Sequence, residues 1–368
     1  MIKNILIISS NYTGNGHKSI SEALCEQFAV YPDIKVTVVD GFSLGGDSLL
    51  KVGKSYGTIT RNAKGLWQLI WDLSSIKPSI IDELIELTIA DRFIDLFKNI
   101  KPDLILSLHP NFNGSIINIM EKNKIKIPFI TFIADLVSIY PLWADKRADY
   151  IISPTIEAME KCIEFGVPKT KVKVLGFPVR SRFYKNTNAI NKHNNYNKNT
   201  TLQFLLLGGG DGIGNMSKIS DILLSNFNCN VSIVTGHNSS LKKKLEKSLL
   251  EKYDNKVHIY GFIENIEELM IDSDIAFTRG SPNVMMEAIA CNVPMIITGA
   301  LPGQEEGNPN YIKKYNIGVV CKNVRRLKST IDELLSCNAS KLIEIKKCQK
   351  NYSSPNIAKN IVNFIVQL

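Results

Sequence analysis

Phe277 to Lys314 reads FTRGSPNVMMEAIACNVPMIITGALPGQEEGNPNYIKK. An apolar run ends at Thr278, and the polar turn Arg279-Gly280-Ser281-Pro282 follows it. A short helix carrying Glu287 is expected next, then a second apolar strand from Val293 to Thr298. The loop from Leu301 to Asn308 opens a further helix. Strand, loop and helix repeated in this order predict a parallel α/β sheet, whose ligands collect at the carboxyl ends of its strands. The polar clusters 279–287 and 303–308 therefore fall at one rim. A helix N-terminus there favours an anion, and the carboxylates and amides beside it suit hydroxyl-rich groups. The chemistry points to a phosphate-bearing polyol.

The same pattern extends outward in both directions. Lys3 to Ser9 reads as a buried strand rather than a membrane span or secretory segment, because its apolar run is short and leads into a polar loop. That loop, Asn11 to His17, is glycine-rich, and an amphipathic helix follows it with Ile20, Ala23, Leu24 and Phe28 at helical spacing. A strand from Lys35 to Asp40 completes a Rossmann-like opening, although Gly14-Asn15-Gly16-His17 does not complete the dinucleotide fingerprint. By the residues alone, His17 caps the helix or fills the turn as readily as it serves as a base. A helix over Ser79 to Lys98 leads to the strand Leu104 to Leu108, which ends at His109. The strand Pro128 to Ile133 ends at Asp135. Strands at Tyr150 to Ser153 and Val172 to Leu175 follow, the second leading into Gly176-Phe177-Pro178-Val179-Arg180. Arg180 is placed to reach a diphosphate or simply faces solvent.

The stretch Lys185 to Thr200, KNTNAINKHNNYNKNT, is polar and asparagine-rich and reads as a linker. The pattern then restarts with Leu202 to Leu207 and the loop Gly208-Gly209-Gly210-Asp211-Gly212-Ile213-Gly214. Glycines let a phosphate approach the backbone, but the closing Gly-Lys-Ser/Thr of a P-loop is absent. Strands Val231 to Thr235 and Val257 to Tyr260 end in Gly236-His237-Asn238 and Gly261-Phe262-Ile263-Glu264-Asn265-Ile266.

Composition narrows the class. A chain of 368 residues with 44% hydrophobic content has room for two domains of ordinary size. Seven scattered cysteines form no C-x-x-C pair or cluster with histidine, which fits reduced thiols and offers no zinc site. The net charge of +9 admits nucleic acid as a partner, but no nucleic-acid module is present. An anionic membrane surface or a solvated lysine-rich surface accounts for the charge better. Between Ser48 and Ser75, lysines and Arg61 interleave with aromatic and aliphatic residues, and two of the three tryptophans lie there. Lys64, Trp67 and Trp71 are the candidates for membrane contact, with ordinary core packing as the alternative.

Taken together, these motifs resemble the monogalactosyl- and diglucosyl-diacylglycerol synthase family, GT-B enzymes related to the peptidoglycan lipid-intermediate N-acetylglucosaminyl transferase. Pro302-Gly303-Gln304-Glu305-Glu306-Gly307-Asn308 is similar to the family's donor-sugar loop. The family's Thr-Lys-x-Gly-Pro…Glu-Ala motif is matched from Thr278 to Ala288, with Arg279 in place of its lysine and Ser281 in place of its glycine. Gly14 to His17 resembles Gly-x-Gly-His, Gly176 to Arg180 resembles Gly-x-Pro-x-Arg, and the 236–238 and 261–266 loops resemble Gly-x-Asn and Gly-Phe-Val-x-Asn-Met. Ala134-Asp135 stands at the family's Thr-Asp. Trp143 is kept, while Tyr140 or its neighbours occupy the position of a family histidine.

The resemblance implies two Rossmann-like domains facing a cleft: 1–184 for the acceptor, a linker at 185–200, and 201–350 for the UDP-sugar. A C-terminal helix within 351–368 would cross back to the first domain. It implies an inverting hexose transfer from a UDP-sugar to a membrane lipid hydroxyl, with diacylglycerol as the acceptor, without cofactor or metal, at the cytoplasmic face of the membrane. His17 would be the base, and Asp135, Trp143 and His109 would lie on the acceptor side, Asp135 orienting His17, holding the acceptor or capping a loop. Gly16, Arg180, Gly209, Gly210, Phe262, Ile263, Asn265, Arg279, Ser281, Glu287, Gln304, Glu305 and Asn308 would hold the donor, with Glu287 on the ribose. Three other readings remain: N-acetylglucosamine transfer to a polyprenyl-linked or secondary-metabolite acceptor, a UDP-GlcNAc 2-epimerase, and a UDP-sugar sensor without turnover.

Overall fold

Ile5 to Ile8 are all fully buried, as are Leu104 to Leu106 and Ile275 to Ala276. Continuous apolar runs of this kind mark strands covered on both faces, the condition of a parallel sheet flanked by helices. The protein, described here by a computed structural model over residues 2–11, 13, 15–62, 65, 77–184, 196, 200–208 and 215–368, contains two such sheets. Contacts divide the chain into two units. The first is Met1–Arg180 with Pro302–Gly307 and Asn356–Leu368; the second is Ser181–Leu301 with Asn308–Pro355.

The first unit holds β1 (Asn4–Ser9), α1 (Gly16–Phe28), β2 (Lys35–Asp40), α2 (Gly46–Asn62), α3 (Pro78–Ile100), β3 (Leu104–Ser107), α4 (Asn113–Lys122), β4 (Phe129–Phe132), β5 (Tyr150–Ser153), α5 (Ile156–Glu164) and β6 (Val172–Val174). Its sheet runs β2-β1-β3-β4-β5-β6, with every pairing parallel. The second unit holds β7 (Leu202–Leu207), α6 (Met216–Asn226), β8 (Cys229–Val234), α7 (Ser239–Tyr253), β9 (Val257–Tyr260), α8 (Ile266–Ile271), β10 (Ile275–Arg279), α9 (Pro282–Ala290), β11 (Met295–Gly299), α10 (Asn308–Lys314), β12 (Val319–Val320) and α11 (Leu327–Tyr352). Its sheet runs β12-β11-β10-β7-β8-β9, again parallel. α12 (Ile357–Val366) follows and lies in the first unit, where Tyr31 Oη donates to Asn363 Oδ1 at 2.7 Å.

Strand order locates the ligand sites. In the first sheet the chain reverses direction of travel between β1 and β3, and in the second between β7 and β10. At such a switch point the two loops leaving the strands part, and the crevice between them is where open α/β sheets bind ligands. The strands concerned end at Ser9 and Ser107 in the first unit, and at Leu207 and Arg279 in the second.

Two features depart from the sequence reading, and a third has no counterpart in it. Pro302–Gly307, expected with the second domain, clusters with the first unit. Tyr196, inside the polar stretch read as linker, is buried in the second unit; its hydroxyl donates to Asp274 Oδ1 at 3.1 Å and accepts from Lys346 Nζ at 3.3 Å. Averaged composition hides a single aromatic anchor. α11 also breaks at Ser336–Ala339, where Cys337, Asn338 and Ala339 take positive φ values of 49, 54 and 56°. Lys64, Trp67 and Trp71, like Gly209 and Gly210, lie outside the described residues.

Candidate active site

In the first unit the switch point brings two histidines together. His17 is the second residue of α1, and His109 lies just beyond β3; their ring centroids are 4.6 Å apart. Pairing of β1 with β3 continues past the strand ends, with the Leu108 N–H donating to the Ile8 carbonyl at 2.8 Å. This continuation puts the Leu108 carbonyl 2.6 Å from His17 Nδ1. A carbonyl only accepts, so Nδ1 carries the proton and Nε2 keeps the lone pair. Burial pushes the His17 imidazole down to about 4, against a smaller opposing effect of the Leu108 hydrogen bond. The positive end of α1 acts in the same direction as burial. His17 is therefore a neutral imidazole at physiological pH.

His109 has the opposite tautomer, because its Nδ1 accepts from the Asn111 N–H at 3.3 Å. Burial, and His17 beside it, hold His109 well below the ordinary histidine range. Phe42 and Phe112 enclose its ring at centroid distances of 5.2 and 5.3 Å. Phe42 was not singled out in the sequence, although its place just past β2 puts it at the same rim. Trp143, fully buried, lies 6.3 Å from the His17 ring.

Asp135 does not contact His17 through any described hydrogen bond. Its Oδ2 accepts from Trp143 Nε1 at 2.8 Å, and its Oδ1 accepts from Gln304 Nε2 at 3.0 Å. Burial pushes Asp135 up to about 6, helped by the Glu305 carboxylate and opposed by the two hydrogen bonds. Glu305 is itself buried. Gly16 opens α1, and Arg180 Nη1 pairs with Glu22 Oε2 on that helix at 2.9 Å.

In the second unit, β10 slips its register between Thr278 and Arg279, and the Gly280 N–H donates to the Gly299 carbonyl at 2.9 Å. Asn308 is fully buried and donates from Nδ2 to the Gly280 carbonyl at 2.7 Å. It braces the turn from beneath. α9 then opens with Ser281 at its cap and Pro282 at its first position, and the Ser281 side chain makes no capping bond. A helix N-terminus in that state suits a phosphate. Glu287, on α9, is 8% exposed, and Arg279 is half-buried. At the other side of the sheet Phe262 is 50% exposed and stacks on His237 at 4.5 Å with an interplanar angle of 11°. Ile263 and Asn265 share its loop, Asn265 as the cap of α8. Among the described residues, no group of three His, Cys, Asp or Glu side chains is disposed to hold a metal ion.

Residues 169–352, half of the chain, match the family model described as glycosyl transferases group 1. The chain belongs to that family. Residues 17–179 of this glycosyltransferase match the model described as monogalactosyldiacylglycerol (MGDG) synthase, which bears out the resemblance drawn from the motifs. It is 26% identical over 382 residues to a processive diacylglycerol beta-glucosyltransferase of Bacillus cereus, covering 100% of this chain and 94% of the relative. It is also 26% identical over 386 residues to monogalactosyldiacylglycerol synthase 3, chloroplastic, of Arabidopsis thaliana, covering 100% and 82%. Among solved structures, MurG of Acinetobacter baumannii superposes with a TM-score of 0.64 at 12% identity, over 100% of both chains. A UDP-GlcNAc 2-epimerase of Neisseria meningitidis reaches 0.63 at 14%, over 99% of this chain and 100% of its own. These likenesses show the GT-B fold, which transferases and epimerases share. The family match excludes the epimerase reading for this glycosyltransferase.

Replacing Trp143 by Phe removes a donor from a buried carboxylate. The raised Asp135 group gives up stability as pH climbs from the ordinary carboxylate range through about 6, and loss of the Trp143 N–H makes that cost larger. Trp143→Phe should therefore destabilise by about 1–3 kcal/mol more at pH 8 than at pH 5, in urea unfolding. Equal destabilisation at both pH values would assign the whole effect to packing.

Proposed function

We propose that this enzyme transfers a hexose from a UDP-sugar to the hydroxyl of diacylglycerol, with inversion and without a resident metal. The observation that carries the reading is the neutral, buried His17 with its Nδ1 proton committed to Leu108 and its Nε2 left unprotonated. The acceptor oxygen attacks the anomeric carbon as the bond to UDP breaks, and Nε2 takes the hydroxyl proton. The leaving diphosphate needs positive charge and N–H donors. In the second unit Arg279 and the N-terminus of α9 supply them. Glu287 accepts from the ribose hydroxyls. Gln304 and Glu305 meet the hexose, with Asn308 bracing the turn, and the Phe262–Asn265 loop takes the uracil. His109, Trp143 and Phe42 form an apolar wall suited to the acceptor. The relatives' names support diacylglycerol as acceptor and carry two different hexoses.

The test is UDP release from UDP-glucose, UDP-galactose and UDP-N-acetylglucosamine, with and without diacylglycerol in liposomes, in EDTA. Release should require diacylglycerol, survive EDTA and fall about a hundredfold or more in His17→Ala. Release that is independent of lipid, or untouched by His17→Ala, would overturn the proposal.

A membrane lipid substrate requires the protein to reach a bilayer, and no described helix is long and apolar enough to cross one. We propose peripheral attachment to a bilayer surface through the exposed apolar line of α3. Ile80, Leu84 and Leu87 are 48, 61 and 79% exposed, and their spacing of four and three residues sets them in one line along the helix. Val52 on α2 is 59% exposed, with Lys51 and Lys54 exposed beside it. Each leucine buried in the interface contributes roughly 1.5–3 kcal/mol, so Leu84→Ser with Leu87→Ser should lower binding to anionic liposomes at least tenfold. Unchanged sedimentation with liposomes would exclude this face.

A further inference from the structure

Two loops meet inside the first unit: the one that follows β4, Ile133 to Ser138, and Pro302–Gly307. Three contacts join them. Gln304 Nε2 donates to Asp135 Oδ1, and the Gly307 N–H donates to Ser138 Oγ, both at 3.0 Å. Gly307 also approaches so closely that a Cβ there would lie 2.5 Å from Val137 Cγ1. Trp143 Nε1 holds the other Asp135 oxygen, so the carboxylate is locked from two sides and is 3% exposed. An ionised carboxylate accepts only. It therefore selects the NH₂ end of the Gln304 amide and turns the carbonyl Oε1 away from itself.

We infer that Asp135 is a positioning residue for donor recognition: with Ser138 it seats Pro302–Gly307 and orients Gln304 so that its carbonyl oxygen is offered to a hydroxyl of the donor sugar. The inference rests on the UDP-sugar reaction proposed above. It moves Asp135 from the acceptor side, where its place after a strand of the first sheet had put it, to the donor side. Asparagine is the decisive substitution. The fixed Trp143 donor claims the Asn oxygen, the Asn NH₂ then faces residue 304, and the Gln304 amide turns over to meet it. Packing and hydrogen bonding survive, while the group presented to the sugar is reversed.

The experiment titrates UDP, UDP-glucose, UDP-galactose and UDP-N-acetylglucosamine by calorimetry into wild type, Asp135→Asn, Asp135→Ala, Gln304→Ala and the Asp135→Ala/Gln304→Ala double variant. KM values for the preferred donor and for diacylglycerol accompany the titrations. Both Asp135 variants should bind UDP within about twofold of wild type, yet lose about threefold to tenfold in affinity and KM for the UDP-sugar. The KM for diacylglycerol should stay within about twofold, and Asp135→Ala should add less than about twofold once Gln304 is already alanine. Asp135→Asn with wild-type donor affinity, a change confined to the diacylglycerol KM, or independent effects of the two positions would overturn the inference. Wild-type protein that binds neither UDP nor any of the three UDP-sugars would instead overturn the donor reading, and this inference with it.

Discussion

The hydrogen bond from His17 Nδ1 to the Leu108 carbonyl ties the chemistry of this enzyme to its topology. It exists because β3 lies beside β1 and because their pairing runs past the strand ends, from Leu108 to Ile8. The bond sets the tautomer, the surrounding burial keeps the ring neutral, and the start of α1 discourages a positive charge on it. A histidine in water is split between protonation states and tautomers near neutral pH; this one is held in a single neutral form with Nε2 unprotonated. His109, close by, is held in the other tautomer by a backbone N–H, so the two rings present unlike edges.

A matching logic governs the second unit. β10 lies beside β7, the Gly280 turn follows β10, and Asn308 holds that turn from the far end of the 302–307 loop. A buried amide bracing a backbone carbonyl fixes the entry into α9, where Ser281 and Pro282 leave the helix start suited to an anion. Glu287 lies in the body of that helix, buried.

The fold was legible because buried parallel strands announce themselves. Lys35–Asp40, Tyr150–Ser153, Leu202–Leu207 and Val257–Tyr260 occur with the boundaries their apolar runs define. The candidate site was legible wherever a polar residue follows such a strand, as with His109 after β3, Asp135 after β4 and Arg279 at the end of β10. Pairwise geometry was not. Asp135 and Gln304 are 169 residues apart, and no periodicity connects them. Arg180 reads as a free cation in sequence, yet it has Glu22 against it. Tyr196 was invisible because its neighbours are asparagines and lysines, and the break in α11 has no glycine or proline to mark it.

The most direct test of the account is ¹⁵N NMR of the imidazole rings across a pH titration, with the His17 signals assigned through His17→Ala. The account predicts that His17 is protonated on Nδ1, with Nε2 carrying the lone pair, and that it remains neutral until the pH falls to about 4. A proton on Nε2, or titration at the ordinary histidine value near 6.5, would contradict it.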